Sequence, residues 1–102
     1  MIELIRDENR VVIRPAGSDI VAASVPELRS KMREVVGGGS LEVVLDLGNV
    51  EMVDSTGIGL LISAHNSLRK VGGTLAVIHA SAEILELLQS MRIHQHFSVS
   101  GA

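Results

Sequence analysis

The sequence alternates short strand-like runs with longer segments of helical apolar spacing, and this alternation constrains the fold more than any other feature. The predicted strands are 2–5, 11–14, 41–47, 74–78 and 97–99. The predicted helices run from 25 to 36, from about 56 to 71, and from Ser81 to about 91. The first two strands read as a hairpin, and the later crossovers are long enough for parallel, right-handed connections. The sequence therefore predicts an α/β fold with a mixed, mainly parallel sheet of four to five strands.

The run at 41–47 indicates which side of this sheet the helices cover. Its odd positions are all leucine or valine, whereas its even positions include Glu42 and Asp46. Successive side chains of a strand point to opposite faces, so one face is apolar and the other mixed. We expect the helices to pack mainly on the apolar face.

The predicted helix ends carry ordinary signals. Ser24 with Glu27 three residues later, and Pro26 between them, predicts a capping box at the start of the first helix. Glycines at 37–39 and at 72–73 predict the ends of the first and second helices.

Composition narrows the class of protein. The 102 residues fit a single domain, 1–102, and include one Phe, no Trp, no Tyr and no Cys, with a formal net charge of −3. Such a chain offers no stacking surface or basic patch for nucleic acid and no thiolate metal site. No apolar run approaches the roughly 20 residues that span a bilayer, and the first residues do not resemble a signal peptide. We expect a cytoplasmic protein that binds neither nucleic acid nor membrane.

The segment Asp-Ser-Thr-Gly-Ile-Gly at 54–59 stands where a strand and loop turn into the second helix. The first N–H groups of a helix lack internal partners and lie at the positive end of its dipole, so a phosphate on Ser55 would be tolerated there. Gly57 and Gly59 have no Cβ, which would let a bulky group approach closely. Simple helix capping by Asp54, Ser55 or Thr56 is the alternative interpretation, although two glycines weaken a first turn.

These residues resemble a known family signature. The segment at 53–61, with Leu-Asp-Leu at 45–47, Gly-Ser-Asp at 17–19 and Gly-Gly-Thr-Leu at 72–75, is similar to the signature of bacterial STAS-domain anti-sigma factor antagonists. The similarity extends from about residue 10 to Phe97. It departs at Arg92 and His94, where the family often has a glycine and an acidic residue, so the end of the third helix does not follow from it.

The resemblance implies a phosphorylation switch. In the family, the first hydroxyl residue after the Asp is phosphorylated by a serine kinase that is also the anti-sigma factor, and Ser55 occupies that position. The unphosphorylated antagonist holds the kinase and releases the sigma factor, and a PP2C-type phosphatase resets the switch. Asp54, Thr56 and Gly57 would flank the site, and Asp19 would lie near it. The alternative is a STAS scaffold or transport-accessory module that phosphorylation does not regulate.

A partner surface is predicted on the second helix. At about 100° per residue, five positions form one stripe assigned to the core: Gly57, Leu61, Ala64, Leu68 and Val71. Ile58 and Ile62 lie well round from that stripe, one turn or more beyond Ser55. We predict that they form, with Gly59, a partner-binding patch; burial under a neighbouring element is the alternative.

Other polar residues suggest no chemistry of their own. His94 and His96 lack a third metal ligand, His65 has no partner at catalytic spacing, and His79 at a strand end reads as structural. Asp19, Asp46 and Asp54 are interpreted as caps and turns rather than as a metal or phosphoryl site. We expect no catalytic residues, no metal and no cofactor.

Overall fold

The computed structural model describes residues 2–8, 10–39 and 41–101. The strands are β1 (Ile2–Asp7), β2 (Arg10–Pro15), β3 (Asp19–Ile20), β4 (Glu42–Asp46), β5 (Met52–Val53), β6 (Thr74–Ala80) and β7 (Ser98–Gly101). The helices are α1 (Val25–Gly37), α2 (Ser55–Lys70) and α3 (Ala82–Ser90), followed by a 3₁₀ turn (Ile93–Gln95). The predicted alternation of strands and helices is confirmed.

Five strands form the main sheet in the order β1-β2-β4-β6-β7. β1 and β2 are the predicted antiparallel hairpin, although Asn9 of its turn lies outside the described residues. All other neighbours in this sheet are parallel, which confirms the mixed, mainly parallel prediction. β3 and β5 pair in parallel as a separate ladder of two residues each. This ladder was not predicted, because two residues are too few to show a strand pattern.

One apolar cluster joins the helices to the sheet. It contains the inward residues Val43 and Leu45 of β4, together with Val35 of α1 and Leu61 of α2. The helices cover the face that carries Val43 and Leu45, as predicted, but burial does not alternate along β4, because residues 43 to 46 are all buried. Val44, on the opposite face, is also buried, because β4 is the central strand and has neighbours on both sides.

The helix starts differ from one another. Ser81 caps α3 as predicted, accepting a hydrogen bond from the Ile84 N–H at 3.2 Å. The predicted capping box of α1 is wrong, because the Ser24 hydroxyl makes no cap hydrogen bond. It instead accepts from the Val21 N–H and donates to the Asp19 carbonyl, both at 3.0 Å, and so closes the loop between β3 and α1.

The segment after α3 is ordered by two buried side chains. Ile93 and Phe97 belong to the core, and the chain then forms β7 slightly later than the predicted strand. Arg92 lies in the left-handed region, with φ 59° and ψ 24°. That conformation suits glycine, which is what the similar family often has at this position.

Candidate functional site

Asp54 forms the start of α2. Its backbone is extended (φ −93°, ψ −176°), and its Oδ1 accepts a hydrogen bond from the Gly57 N–H at 2.9 Å. The Ile58 N–H donates to the Asp54 carbonyl, also at 2.9 Å. Asp54 is therefore the N-cap, and the helix begins at Ser55, one residue earlier than predicted.

The same residue connects α2 to the loop before α1. The second carboxylate oxygen, Oδ2, accepts from the Ala22 N–H at 3.2 Å, and the Asp54 N–H donates to the Ile20 carbonyl at 3.2 Å. The β3–β5 ladder, which pairs Ile20 with Val53, lies directly beneath these bonds. One short polar side chain thus fixes the start of α2 against a second segment that is 32 residues away in sequence.

The two glycines of the first turns have different surroundings. A Cβ on Gly57 would lie 2.5 Å from the Ile20 carbonyl oxygen and 2.7 Å from Val53 Cγ1. Gly57 therefore allows α2 to pack on the β3–β5 ladder, and the prediction that it makes room for an external group is wrong. Gly59 is exposed and has no atom within 4 Å of an added Cβ, so the outer surface is open there.

Ser55 and Thr56 occupy the first two positions of α2, and both are exposed. Within the described residues, neither hydroxyl has a hydrogen-bond partner. The helix was predicted to begin at about Thr56, but the Asp54 cap places Ser55 in the first turn as well. Both hydroxyls are accessible to a modifying enzyme.

Asp19 is exposed on β3, in register with Met52 of β5. This places it on the ladder that leads into Asp54. Its carboxylate accepts from the neighbouring Ser18 hydroxyl at 3.3 Å, and among the described residues no hydrogen bond joins it to Asp54 or Ser55. Asp19 is therefore on the same ladder as the site but makes no hydrogen bond to it.

The two isoleucines of the predicted partner patch differ in exposure. Ile62 is 41% exposed, as predicted, whereas Ile58 is only 4% exposed and belongs to the core. The prediction for Ile58 is therefore wrong. Further along α2, the His65 ring lies 5.4 Å from the ring of Phe97, in the segment after α3. On the assigned core stripe only Val71 is exposed, and it lies just beyond the helix.

Asp46, interpreted from the sequence as a cap or turn residue, is a buried charge with side-chain partners that the sequence did not predict. It is 3% exposed, and its Oδ2 accepts from Arg14 Nε at 3.0 Å. Its Oδ1 accepts from the Gly48 N–H at 2.9 Å and lies 3.0 Å from His79 Nδ1. Burial raises the pKa of Asp46, but the Gly48 N–H, His79 and Arg14 together hold that pKa below its usual value. An aspartate inside an apolar strand was the available sequence signal.

The carboxylates of Asp46 and Asp54 have separate hydrogen-bond partners and do not form a common site. Asp46 binds side chains from β2 and β6, while Asp54 binds backbone N–H groups. Among residues 2–8, 10–39 and 41–101, no three His, Asp or Glu side chains converge as metal ligands do.

In that same part of the chain, no helix has the length and apolar character needed to cross a membrane.

Comparison with known proteins gives the same family as the signature. The family model for the STAS domain matches residues 1–101. The anti-sigma-B factor antagonist of Bacillus subtilis (strain 168) is 28% identical over 100 residues, covering 98% of this chain and 90% of that protein.

Solved structures share the fold. An anti-sigma factor antagonist from Mycobacterium paratuberculosis superimposes with a TM-score of 0.87 at 20% identity, over 100% of this chain and 86% of that one. The Bacillus cell fate determinant SpoIIAA in its phosphorylated form superimposes with a TM-score of 0.76 at 19% identity, over 97% of this chain and 90% of that one. At these identities the two structures establish the fold alone. The match of the family model over residues 1–101 shows that the chain belongs to the STAS domain family.

Proposed function

We propose that this chain is an anti-sigma factor antagonist that works by partner switching. In its unphosphorylated form it binds a serine kinase that is also an anti-sigma factor, and the sigma factor is released. Phosphorylation of Ser55 ends that binding, and a PP2C-type phosphatase restores it. Residues 1–102 act as one STAS domain in the cytoplasm, where sigma factors work.

The observation that supports this function best is the exposure of the Ser55 hydroxyl on a tightly held helix start. The hydroxyl has no hydrogen-bond partner among the described residues, so a kinase can phosphorylate it without breaking a native hydrogen bond. The Asp54 cap holds the backbone around it from both sides. The geometry alone does not distinguish Ser55 from Thr56, and the preference for Ser55 rests on the family signature.

A phosphate at this position would change binding by charge and not by refolding. It adds about −1.5 to −2 charges beside the Asp54 carboxylate, at a helix end where the dipole tolerates them. In a protein interface the same charge must lose its water, which costs several kcal/mol unless the partner supplies cations. Each ~1.4 kcal/mol lost is a tenfold loss of affinity.

Incubation with purified serine kinases from the same genome, followed by phosphopeptide mapping, tests this function. We expect one acid-stable phosphate on Ser55, no labelling of Ser55→Ala, and normal labelling of Thr56→Ala. An acid-labile adduct would point to Asp54 instead.

Phosphate on Thr56 with Ser55 untouched would overturn the assignment of the residue. Failure of every such kinase to bind or modify the protein would overturn the proposed function. It would instead favour a STAS scaffold or transport-accessory module that phosphorylation does not regulate.

A further inference from the structure

A groove of about 320 Å³ lies between α2 and the segment that follows α3. We call it the C-terminal groove, and its walls include Ile62, Arg69, Met91, Ile93, His96 and Phe97. The rings of His65 and His96, with centroids 6.3 Å apart, lie where the two walls meet. None of these residues except Ile62 is part of the predicted site.

The rim of the C-terminal groove is apolar on both sides. Ile62 of α2 is 41% exposed, and Met91 at the end of α3 is 49% exposed. Between them, Ile93 and Phe97 are buried and form the floor. Large exposed apolar side chains from two separate elements thus border one concave surface, which is a shape that receives an apolar side chain from a partner.

The polar residues of the groove are cationic or neutral. Arg69 lines it together with His65 and His96, and among the described residues that line it there is no Asp or Glu. Arg69 has no ion-pair partner in that part of the chain. Since the whole chain has a formal net charge of −3, a surface free of carboxylates around an unpaired arginine is a local exception. It is complementary to a carboxylate on the partner.

The groove is continuous with the candidate phosphorylation site. Ser55, Gly59 and Ile62 are four and three residues apart, so they lie on one exposed stripe of α2. At 1.5 Å per residue, Ile62 is about 10 Å along the helix from Ser55. A partner that covers Ser55 therefore reaches the rim of the groove without leaving α2.

We propose that the C-terminal groove is a second part of the surface that binds the kinase of the proposed function, on which this inference rests. The groove takes an apolar side chain from an acidic segment of the kinase, and Arg69 pairs with a carboxylate beside that side chain. Ser55 and the groove then contact the same partner at two separate points, and a phosphate disturbs only the first.

Affinity measurements on four single variants test the groove. The probe is the purified kinase that phosphorylates Ser55, titrated with unphosphorylated protein. We expect Met91→Glu and Arg69→Glu each to weaken binding at least about tenfold, because each places a carboxylate against an acidic segment. Arg69→Lys should keep most of the affinity. Met91→Lys should lose less than Met91→Glu, since it removes only the apolar contact.

Matched controls lie on β1, away from α2. Ile5→Glu replaces an exposed apolar residue and Arg6→Glu an exposed arginine, as Met91→Glu and Arg69→Glu do in the groove. Both control variants should bind like the unaltered protein. All variants should keep the melting temperature within a few degrees. If the Met91 and Arg69 variants bind within twofold of the unaltered protein while Ser55→Asp does not bind, the groove is not an interface and the proposed function stands. If the unaltered protein binds no such kinase, both proposals fail.

Discussion

The inner and outer sides of the first two turns of α2 differ in almost every physical respect. On the inner side, Gly57 packs so closely on the β3–β5 ladder that a single added carbon would overlap the Ile20 carbonyl, and Ile58 is part of the core. On the outer side, Ser55 is exposed and the space above Gly59 is empty. The inner side fixes the helix start in place, and the outer side remains available to a partner. A charge can therefore be added outside without disturbing the packing inside.

The two isoleucines provide the largest test of this comparison. Ile58→Asp places a carboxylate in the core and should lower the free energy of unfolding by about 4 kcal/mol. Ile62→Asp, at an exposed position, should change it by about 0.5 kcal/mol or less. Urea denaturation followed by circular dichroism measures both. Equal losses of stability would mean that α2 does not separate an inner from an outer side here.

Gly57→Ala should have the next largest effect. Its Cβ would overlap backbone as well as side-chain atoms, and the neighbouring strand cannot move without breaking its ladder with β5. We expect a loss of about 2–3 kcal/mol by the same denaturation assay. A neutral or stabilising Gly57→Ala would show that the packing beneath the site is loose.

Asp46 extends the comparison to a carboxylate that is buried inside the fold. Because its pKa is lowered by folding, its contribution is present above the unfolded pKa of about 4 and is lost as pH falls through the lower folded value. Asp46→Asn should cost about 1–2 kcal/mol at pH 7 through its weakened bonds to Arg14 and His79. The difference from the unaltered protein should shrink as pH falls below about 4. A difference that does not depend on pH would contradict this account.

Gly59→Ala should have a small effect, opposite in sign to that of Gly57→Ala. With open space around the new Cβ, alanine should stabilise the exposed first turns by about 0.5–1 kcal/mol. Thermal denaturation measures the change, and the Gly57→Ala variant, measured in the same way, is the matched comparison. Destabilisation by Gly59→Ala would show that the outer side is also constrained.

The sequence predicted the sheet and the three helices, because these follow from periodicity and from local signals at helix ends. It did not predict which residue caps α2, since Asp54 and Ser55 are both good caps. The choice is made by the Ala22 N–H, which approaches from another segment of the chain and occupies the second Asp54 oxygen.

Tertiary neighbours explain the remaining errors. A helical projection treats α2 as if it had one neighbour, yet the segment containing Phe97 also packs against α2 at His65. Ile58 lies off the assigned stripe and nevertheless belongs to the core. The error at Gly57 has a similar cause. The sequence shows that this residue has no side chain, but it does not show which atoms of other segments fill the position that a Cβ would take. The partners of Asp46 lie on β2 and β6, which are distant in sequence and meet only in the folded sheet.

The affinity of the kinase for the protein with and without phosphate on Ser55 shows directly whether charge on the outer side of α2 switches binding. The phosphorylated form should bind about 100-fold more weakly, a loss of about 2.7 kcal/mol in binding free energy, while its melting temperature stays within a few degrees of that of the unphosphorylated form. Ser55→Ala should bind like the unphosphorylated protein and should not respond to kinase and ATP, and Ser55→Asp should bind weakly. Equal affinity of the two phosphorylation states, or a loss of binding accompanied by unfolding, would contradict a switch that acts by charge on the outer side of α2.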